Sequence, residues 1–349
     1  ASGDTVLVAP GVYTGGAWIN GKSVTIASWY VVTGDTALIA QTVLHGDSPG
    51  ACGGDPGCSG NAVLEFGDNA NGSTVVGLTL THGENGIASG SALDVTHCHV
   101  IANGDGLDFV PGSGGTIRNS LFADNSDDGI DLNGRMNITI VDNIIRDNLD
   151  DGIEYRMYTY NGVTREVNIL RNRITGNGED GVQLIDYPVV SNYIIRIEHN
   201  HFQANFNGSG LSAAIGCMPD GVTIESLVGA PVAERIYVIN NTFIGENNGV
   251  VGGANLIALN NIFTDTQGTA LRRVGGNSIA SYNLFWGNGT NYIESIIDPP
   301  HQLLASPWLD SMVRLAPPIP AIDAGTAFVQ WRGQTVMNLP PAGYAGSAP

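Results

Sequence analysis

Asp105-Gly106-Leu107-Asp108, Asp128-Gly129-Ile130-Asp131, Asp151-Gly152-Ile153-Glu154 and Asp180-Gly181-Val182-Gln183 stand in register along the middle of the chain. Their glycines are 23, 23 and 29 residues apart. Repeats of this length, built of short β-branched runs broken by Gly and Asn and lacking a helical period, predict a coil of short strands with one turn per repeat. Equivalent residues on stacked turns lie about 4.8 Å apart. The four phrases then become ladders of carboxylates on one face. Like charges that close together are unfavourable unless something compensates them.

The register extends outward to Gly86 and Gly210, and more loosely to Gly249 and Gly268. Between the glycines runs a second phrase, an apolar pair, a small polar residue and apolar residues again. It aligns Cys98, Ser120, Asn143, Asn172, Asn200, Asn241 and Asn261 in one column, and Asn103, Asn125, Asn148, Asn177 and Asn205 in another. Asn accepts turn conformations, and stacked amides bond one another along a ladder. Both columns are therefore expected to be structural. A single turn cannot bury its apolar face, so the core comes from stacking neighbours.

With these phrases in place, the chain resembles a parallel β-helix of the pectin-lyase-like superfamily. The opening Gly3 to Tyr13 resembles a first turn of that superfamily, and Pro320-Ala321-Ile322-Asp323-Ala324-Gly325 resembles a tail phrase of secreted bacterial members. The resemblance implies an all-β, right-handed solenoid and leaves the reaction open, since the fold hosts lyases, hydrolases, epimerases, esterases and adhesins. The expected layout is a β-helix over residues 1–298 and an extended Pro-rich segment over 299–349, which carries Pro299, Pro300, Pro307, Pro317, Pro318, Pro320, Pro340 and Pro341 and packs on the helix.

The chain has 33 acids against 14 Lys and Arg, for a net charge of −19, and its one lysine is Lys22. Nucleic acid is an unsuitable partner for such a surface, because phosphate binding wants clustered bases. No run reaches the length of a membrane span. The chain starts directly at the first coil, so a processed or trimmed N-terminus is expected. Cys52 and Cys58 bracket a short turn-rich loop and are expected to form a local disulfide, which favours a secreted, periplasmic or cell-surface location. Cys98 falls in the buried column, and Cys217 is read as lying in a loop.

Alternation along each strand sends Ile130 and Leu132 inward and Asp131 outward. The outward ladder is then Asp108, Asp131, Glu154, Gln183 and Ser212. A second ladder precedes the glycines at Asp105, Asp128, Asp151, Asp180 and Ser209, with Asp127, Asp150 and Glu179 beside it. Acid density peaks on the turns of Asp131 and Glu154. Asp-Gly turn chemistry with solvated acids explains one column, but acids opposite one another within strands are unfavourable. Two functional readings compete with that one. In the first, Asp128, Asp131, Asp151 and Glu154 hold calcium, which takes six to eight oxygens. In the second, crowded carboxyls divide into an acid and an ionised partner, as glycoside hydrolysis requires.

Insertions after the same strand on three consecutive turns are expected to wall a groove beside the acids: Tyr155 to Gly162, Asp186 to Pro188, and Ala213 to Glu234. Tyr155, Tyr158, Tyr160 and Tyr187 are candidates for stacking on sugar rings, with Arg156, Asp108, Asp180 and Gln183 as further substrate contacts. Arg156 and Arg165 are expected to pair with the acids. The outward pairs His97/His99 and His199/His201 are read as solvated. Asn103-Gly104-Asp105-Gly106 followed by Asp127-Asp128-Gly129 resembles motifs of polygalacturonase-type glycoside hydrolases, which implies Asp105 and Asp127 or Asp128 as catalytic acids. The later Gly-His-Gly and Arg-Ile-Lys motifs of that family are absent. The expected function is a secreted enzyme that cleaves a polysaccharide with paired carboxylates (Asp128, Asp131, Asp151, Glu154, Asp105 and Asp127), without need of a cofactor. The alternatives are a calcium-dependent lyase or uronate C5-epimerase using Arg156 and Tyr158, and a non-catalytic glycan-binding protein.

Overall fold

Three parallel sheets of 11 strands each run the length of the molecule, and the chain visits them in turn. A computed structural model describes residues 2–46, 61–187, 189–206, 212–219, 229–310, 315 and 324–338. The first sheet runs from Asp4–Val8 to Ile279–Ser281, the second from Gly11–Thr14 to Leu284–Trp286, and the third from Ala17–Ile19 to Thr290–Ile293. Strands of three to seven residues are too short to stand alone, so the ladder bonds and the shared core supply their stability. This is the all-β parallel β-helix that the repeat predicts.

Period two decides what fills the lumen. Leu107, Ile130, Ile153 and Val182 stack in register on the third sheet and are fully buried, while Phe202, Phe243, Phe263 and Phe285 form a stack from the second sheet with centroids 4.6–5.3 Å apart. Apolar area removed from water stabilises the coil by about 25 cal/mol per Å².

Both Asn columns are hydrogen-bonded ladders. Asn143 donates its backbone N–H and its side-chain amide to Asn172 Oδ1 at 2.9 and 3.1 Å, and the pattern repeats through Asn200, Asn241, Asn261 and Asn283. The second ladder climbs from Asn103 to Asn205 and ends on the buried Glu246, which accepts from both donors of Asn205 at 3.0 Å. The sharp corner is made one residue earlier than the ladder: His97, Asn119, Asp142, Arg171, His199, Asn240 and Asn260 have φ between 51° and 60°. The ladder residue satisfies the backbone that this corner leaves unpaired.

The glycines of the repeat serve close approach. A Cβ on Gly106, Gly129 or Gly152 would lie 2.4–2.6 Å from the carbonyl oxygen of the next turn. Gly249 belongs to the same column, but the register continues through Ala214 and Ala270, not through Gly210 and Gly268. Gly210 and Ser209 lie outside the described residues. Ser212 is likewise displaced from the outward ladder, because Gln183 pairs with Gly216. A longer connection after Asn205 shifts the register by four residues, which glycine spacing alone does not reveal.

Within the C-terminal segment, Phe328–Trp331 and Gln334–Asn338 form an antiparallel hairpin. Its Val329, Val336 and Met337 cover Ile239, Ile257, Leu259 and Ile279, apolar positions associated with the first sheet that would otherwise be wet. Cys98 and Cys217 are free and buried. Cys217 lies on the strand Ala213–Pro219, not in a loop, so that strand also shortens the third expected insertion. Cys52 and Cys58 lie outside the described residues, as do Pro188 and Pro320 to Asp323. Among the described residues, no helix is long and apolar enough to cross a membrane.

Candidate active site

The third sheet carries the acids. Asp105–Phe109, Ile130–Asn133, Ile153–Arg156 and Val182–Asp186 pair in parallel, so Asp108, Asp131, Glu154 and Gln183 stand opposite one another. Parallel pairing puts adjacent members about 4.8 Å apart. The like charges are compensated from within the strand. Arg156 lies two residues after Glu154 and so shares its outward direction. Its Nη1 donates to both oxygens of Asp131 at 2.8 and 2.9 Å, and its Nη2 forms an ion pair with Glu154. Asn133 donates to Asp108 Oδ1 at 3.2 Å, and Asn85 to Asp108 Oδ2 at 3.3 Å.

The second acid column is turned into the wall. Asp105, Asp128, Asp151 and Asp180 each accept, through Oδ1, the backbone N–H one turn further on, that of Asp128, Asp151, Asp180 and Ala213, at 2.6–3.1 Å. They form a third ladder, built of carboxyl groups in place of amides. Asp151 and Asp180 are each 1 % exposed. The expectation that Asp151 is catalytic and Asp180 an open substrate contact is therefore corrected: both are committed to backbone N–H groups that the turn leaves unpaired. Asp128 keeps contact with the face, because it, Asp131 and Glu154 bring one oxygen each within 4.8 Å of one another. Asp105 and Asp127 group with Asp128 in the same way, with Asp127 exposed.

Burial and crowding set the acidities. Desolvation, with the Asp131 and Asp150 charges adding to it and Arg156 opposing it, pushes the Glu154 carboxyl up to about 8. Asp105 is pushed up to about 7 and Asp108 to about 6, in both cases mainly by burial. Asp131 is also raised by burial, against the pull of Arg156. Burial and neighbouring acids hold Asp128 and Asp151 well above the carboxylate range. Burial alone would lower Arg156, but Asp131 and Glu154 outweigh it and keep the guanidinium charged.

The tyrosines divide. Tyr155 is fully buried, with its hydroxyl donating to Gly134 O at 3.1 Å and its ring edge-on to Tyr193. It is a core residue, not a sugar contact, as the alternation that sends Glu154 outward requires. Tyr160 stacks on Tyr193 with centroids 5.9 Å apart, packs on the core and lies under Arg165, so it holds the loop and is likewise corrected. Tyr158 is half-buried, donates to Asn133 Oδ1 at 3.3 Å, and meets Tyr187 edge to face at 5.0 Å. These two rings wall the acid face. Asn133 and Asn85, which the acid pattern does not mark, orient Asp108. Asn133 could be found from sequence as the residue two after Asp131 and opposite Arg156.

The site lies on a sheet that the comparisons recognise. A family model described as right handed beta helix region matches residues 57–188 and 85–250, together more than half the chain. The chain belongs to the right-handed β-helix family. No curated protein sequence matches it. Among solved structures, this β-helix protein is similar to pectate lyase Pel9A, with a TM-score of 0.54 and 15% identity over 99% of this chain and 86% of that one. It is also similar to the A-module of the Azotobacter vinelandii mannuronan C-5 epimerase AlgE6, with a TM-score of 0.51 and 14% identity over 87% and 91%. At these identities the likeness shows the fold.

Proposed function

We propose that this β-helix protein is a carbohydrate-active enzyme, and that it hydrolyses glycosidic bonds at the Asp131–Glu154 pair. The observation that carries the reading is the unequal treatment of two adjacent outward carboxyls by one arginine. Arg156 Nη1 donates to both oxygens of Asp131, which opposes the rise that burial gives that carboxyl, whereas Glu154, paired with Nη2, is still pushed up to about 8 by burial and the neighbouring acids. A protonated acid beside an ionised carboxylate is the division that glycoside hydrolysis uses. One oxygen of each lies within 4.8 Å of the other, and so close a pair suits a retaining enzyme better than the wider separation of an inverting one. Glu154 would protonate the leaving oxygen and later deprotonate water, and Asp131 would attack the anomeric carbon. Tyr158 and Tyr187 supply a wall against which a sugar ring can stack. Structures of the same fold include a pectate lyase and a mannuronan C-5 epimerase, which supports a polysaccharide substrate.

A second reading, a calcium-dependent lyase or epimerase, is favoured by Asp105, Asp127 and Asp128. These are hard oxygen donors with one oxygen each within 4.8 Å of the others. They fit calcium better than Asp128, Asp131 and Glu154, where Arg156 already supplies the positive charge. Against this reading, one of its two candidate bases, Arg156, is held protonated by its bonds to Asp131 and Glu154, which leaves Tyr158. Calcium would supply charge neutralisation of a uronate if bound there.

The test is a polysaccharide panel read for new reducing ends and for the ultraviolet absorbance of an unsaturated product, with calcium or EDTA. Reducing ends without absorbance are expected, falling about 10²–10⁴-fold in Glu154→Gln and Asp131→Asn with the fold intact by circular dichroism. Calcium-dependent absorbance would replace hydrolysis by elimination.

A further inference from the structure

We infer that the cavity between the C-terminal hairpin and the last coil is a second carbohydrate site, which takes one sugar ring of a glycan and anchors that glycan away from the acid face. The inference rests on the reading that the protein acts on a glycan, and it adds a site that holds without cutting.

The cavity measures about 430 Å³, within the roughly 300–1,000 Å³ of small-molecule sites. The strand Ile279–Ser281 and the segment from Ile296 to His301 bound it on one side, and the hairpin strand Phe328–Trp331 on the other. Buried Ile279 and Val329 line it, and Tyr282, His301, Phe328 and Trp331 contribute four rings. Tyr282 and His301 stack with centroids 4.8 Å apart and make one continuous surface. Phe328 is 52% exposed, an apolar ring left open at the rim. A gap of this size in a packed contact forfeits dispersion and burial, so something must hold it open. The hairpin is pinned at both ends of the strand that lines it. Asn260 accepts from the Thr326 N–H and donates to Thr326 O, both at 2.9 Å, and Trp331 Nε1 donates to Asn277 O at 2.9 Å. The walls therefore stand in place before a ligand arrives, which favours binding.

The polar groups of the cavity suit hydroxyls. Asp298 Oδ2 accepts from the buried Ser281 Oγ at 2.9 Å and is bonded to His301 Nδ1 at 2.7 Å. Both contacts fall on one oxygen and fix the carboxyl. Its Oδ1 has no hydrogen-bond partner among the described residues, and neither has the side-chain amide of Gln330. A sugar ring offers apolar C–H faces to aromatic surfaces, and hydroxyls at its edge that donate to a carboxylate and both donate to and accept from an amide. A wholly apolar ligand would leave Asp298 and Gln330 unanswered. A cation would find the Arg332 guanidinium already over the Trp331 ring, at 5.8 Å. The site stands apart from the acid face. Ile279–Ser281 belongs to the first sheet, five turns beyond Ile153–Arg156 of the third, about 24 Å along the axis. Ser281 bonds Asp298 and not His301, so the trio lacks the contact of a nucleophile with its base. Binding here adds hold on a polymer without taking part in the cut.

Isothermal titration of the whole chain carrying Glu154→Gln tests the site, with soluble oligosaccharides of dextran, xyloglucan, mixed-linkage glucan, inulin, polygalacturonate and alginate as probes. At least one probe is expected to bind at a site that Phe328→Ser and Gln330→Ala, both at exposed positions of the hairpin, each weaken about tenfold or more. With Glu154 intact, the same two substitutions are expected to raise KM for the long polymer about tenfold and to leave kcat and the cutting of short oligosaccharides unchanged. Binding that neither substitution weakens overturns the inference, as does no binding by any probe. Choline binding that Phe328→Ser removes, with no glycan binding that depends on Phe328, overturns the sugar in favour of a cation. The two readings fail separately. Reducing-end release without a Phe328-dependent site keeps hydrolysis and overturns the second site. Phe328-dependent glycan binding with no release from any polymer keeps the second site and overturns hydrolysis.

Discussion

Asp131 and Asp151 are the same residue type on consecutive turns, one after its glycine and one before it, and they do opposite things. One faces the groove and holds Arg156; the other is buried, with its Oδ1 bonded to the Asp180 N–H at 2.7 Å. Burial raises the Asp151 carboxyl well above its ordinary value, so the folded protein prefers it protonated. The same holds for Asp180, for Asp105 at about 7 and for Glu154 at about 8. The sign follows from linkage. A group whose folded pKa is raised stabilises fully below its unfolded pKa, here near 4, and that contribution is lost as pH rises through the folded value. The melting temperature of wild type is therefore expected to fall between pH 5 and pH 8. Asp151→Asn keeps an oxygen for the Asp180 N–H and removes the ionisation, so its melting temperature should fall less over the same range. Parallel curves for the two proteins would show that Asp151 does not titrate with folding. The outward acids were legible from alternation, and so was the burial of Tyr155 once Glu154 is placed outside. The inward turn of the Asp151 column was not, because a preceding-glycine position has no fixed direction until the turn's unpaired N–H groups are located.

At the scale of the element, a turn of this coil consists of three short strands joined by corners, and the Asn ladders hold the corners. Asn172 accepts from the Asn143 N–H at 2.9 Å and donates to Ile140 O at 2.8 Å, both within the buried interior. Asn172→Ala leaves that donor and that carbonyl without a side-chain partner. The expected loss is about 2–6 kcal/mol of unfolding free energy, at about 1–3 kcal/mol for each buried group left unsatisfied. Urea titration measures it. A loss within error of a solvent-exposed control such as Asn71→Ala would mean that water or a neighbouring turn replaces the amide. The columns themselves were visible in the sequence as recurring Asn at one phase of the repeat. The extension to Asn283 keeps the regular spacing of 22 residues, but the switch to Glu246 was not legible, because Glu246 stands 41 residues after Asn205, across a lengthened turn.

The whole molecule carries a net charge of −19, and much of its acid is stacked along one sheet. Self-repulsion among exposed carboxylates opposes the compact state and is screened by salt, with a Debye length of about 8 Å at physiological ionic strength. Raising sodium chloride from low to physiological concentration is expected to raise the melting temperature by a few degrees. The Arg156 pairs lie partly buried and should resist that screening, so activity should change less than stability. A melting temperature that falls with salt would mean that the ion pairs, not the repulsion, dominate the balance.

The repeat phrase by itself determined the coil, the side of each strand that enters the lumen, and the face on which the acids gather. Those follow from local periodicity, which survives without knowledge of what the loops do. Only the tertiary structure decided which carboxyls the face keeps, that Arg156 joins Asp131 to Glu154, that Gly216 and not Ser212 follows Gln183, and that Tyr158 and Tyr187 form the wall while Tyr155 and Tyr160 pack. Each of these is a contact between residues 20 or more positions apart, or a register set by a loop, and its direction depends on which backbone groups and apolar surfaces the neighbouring turns leave to be satisfied.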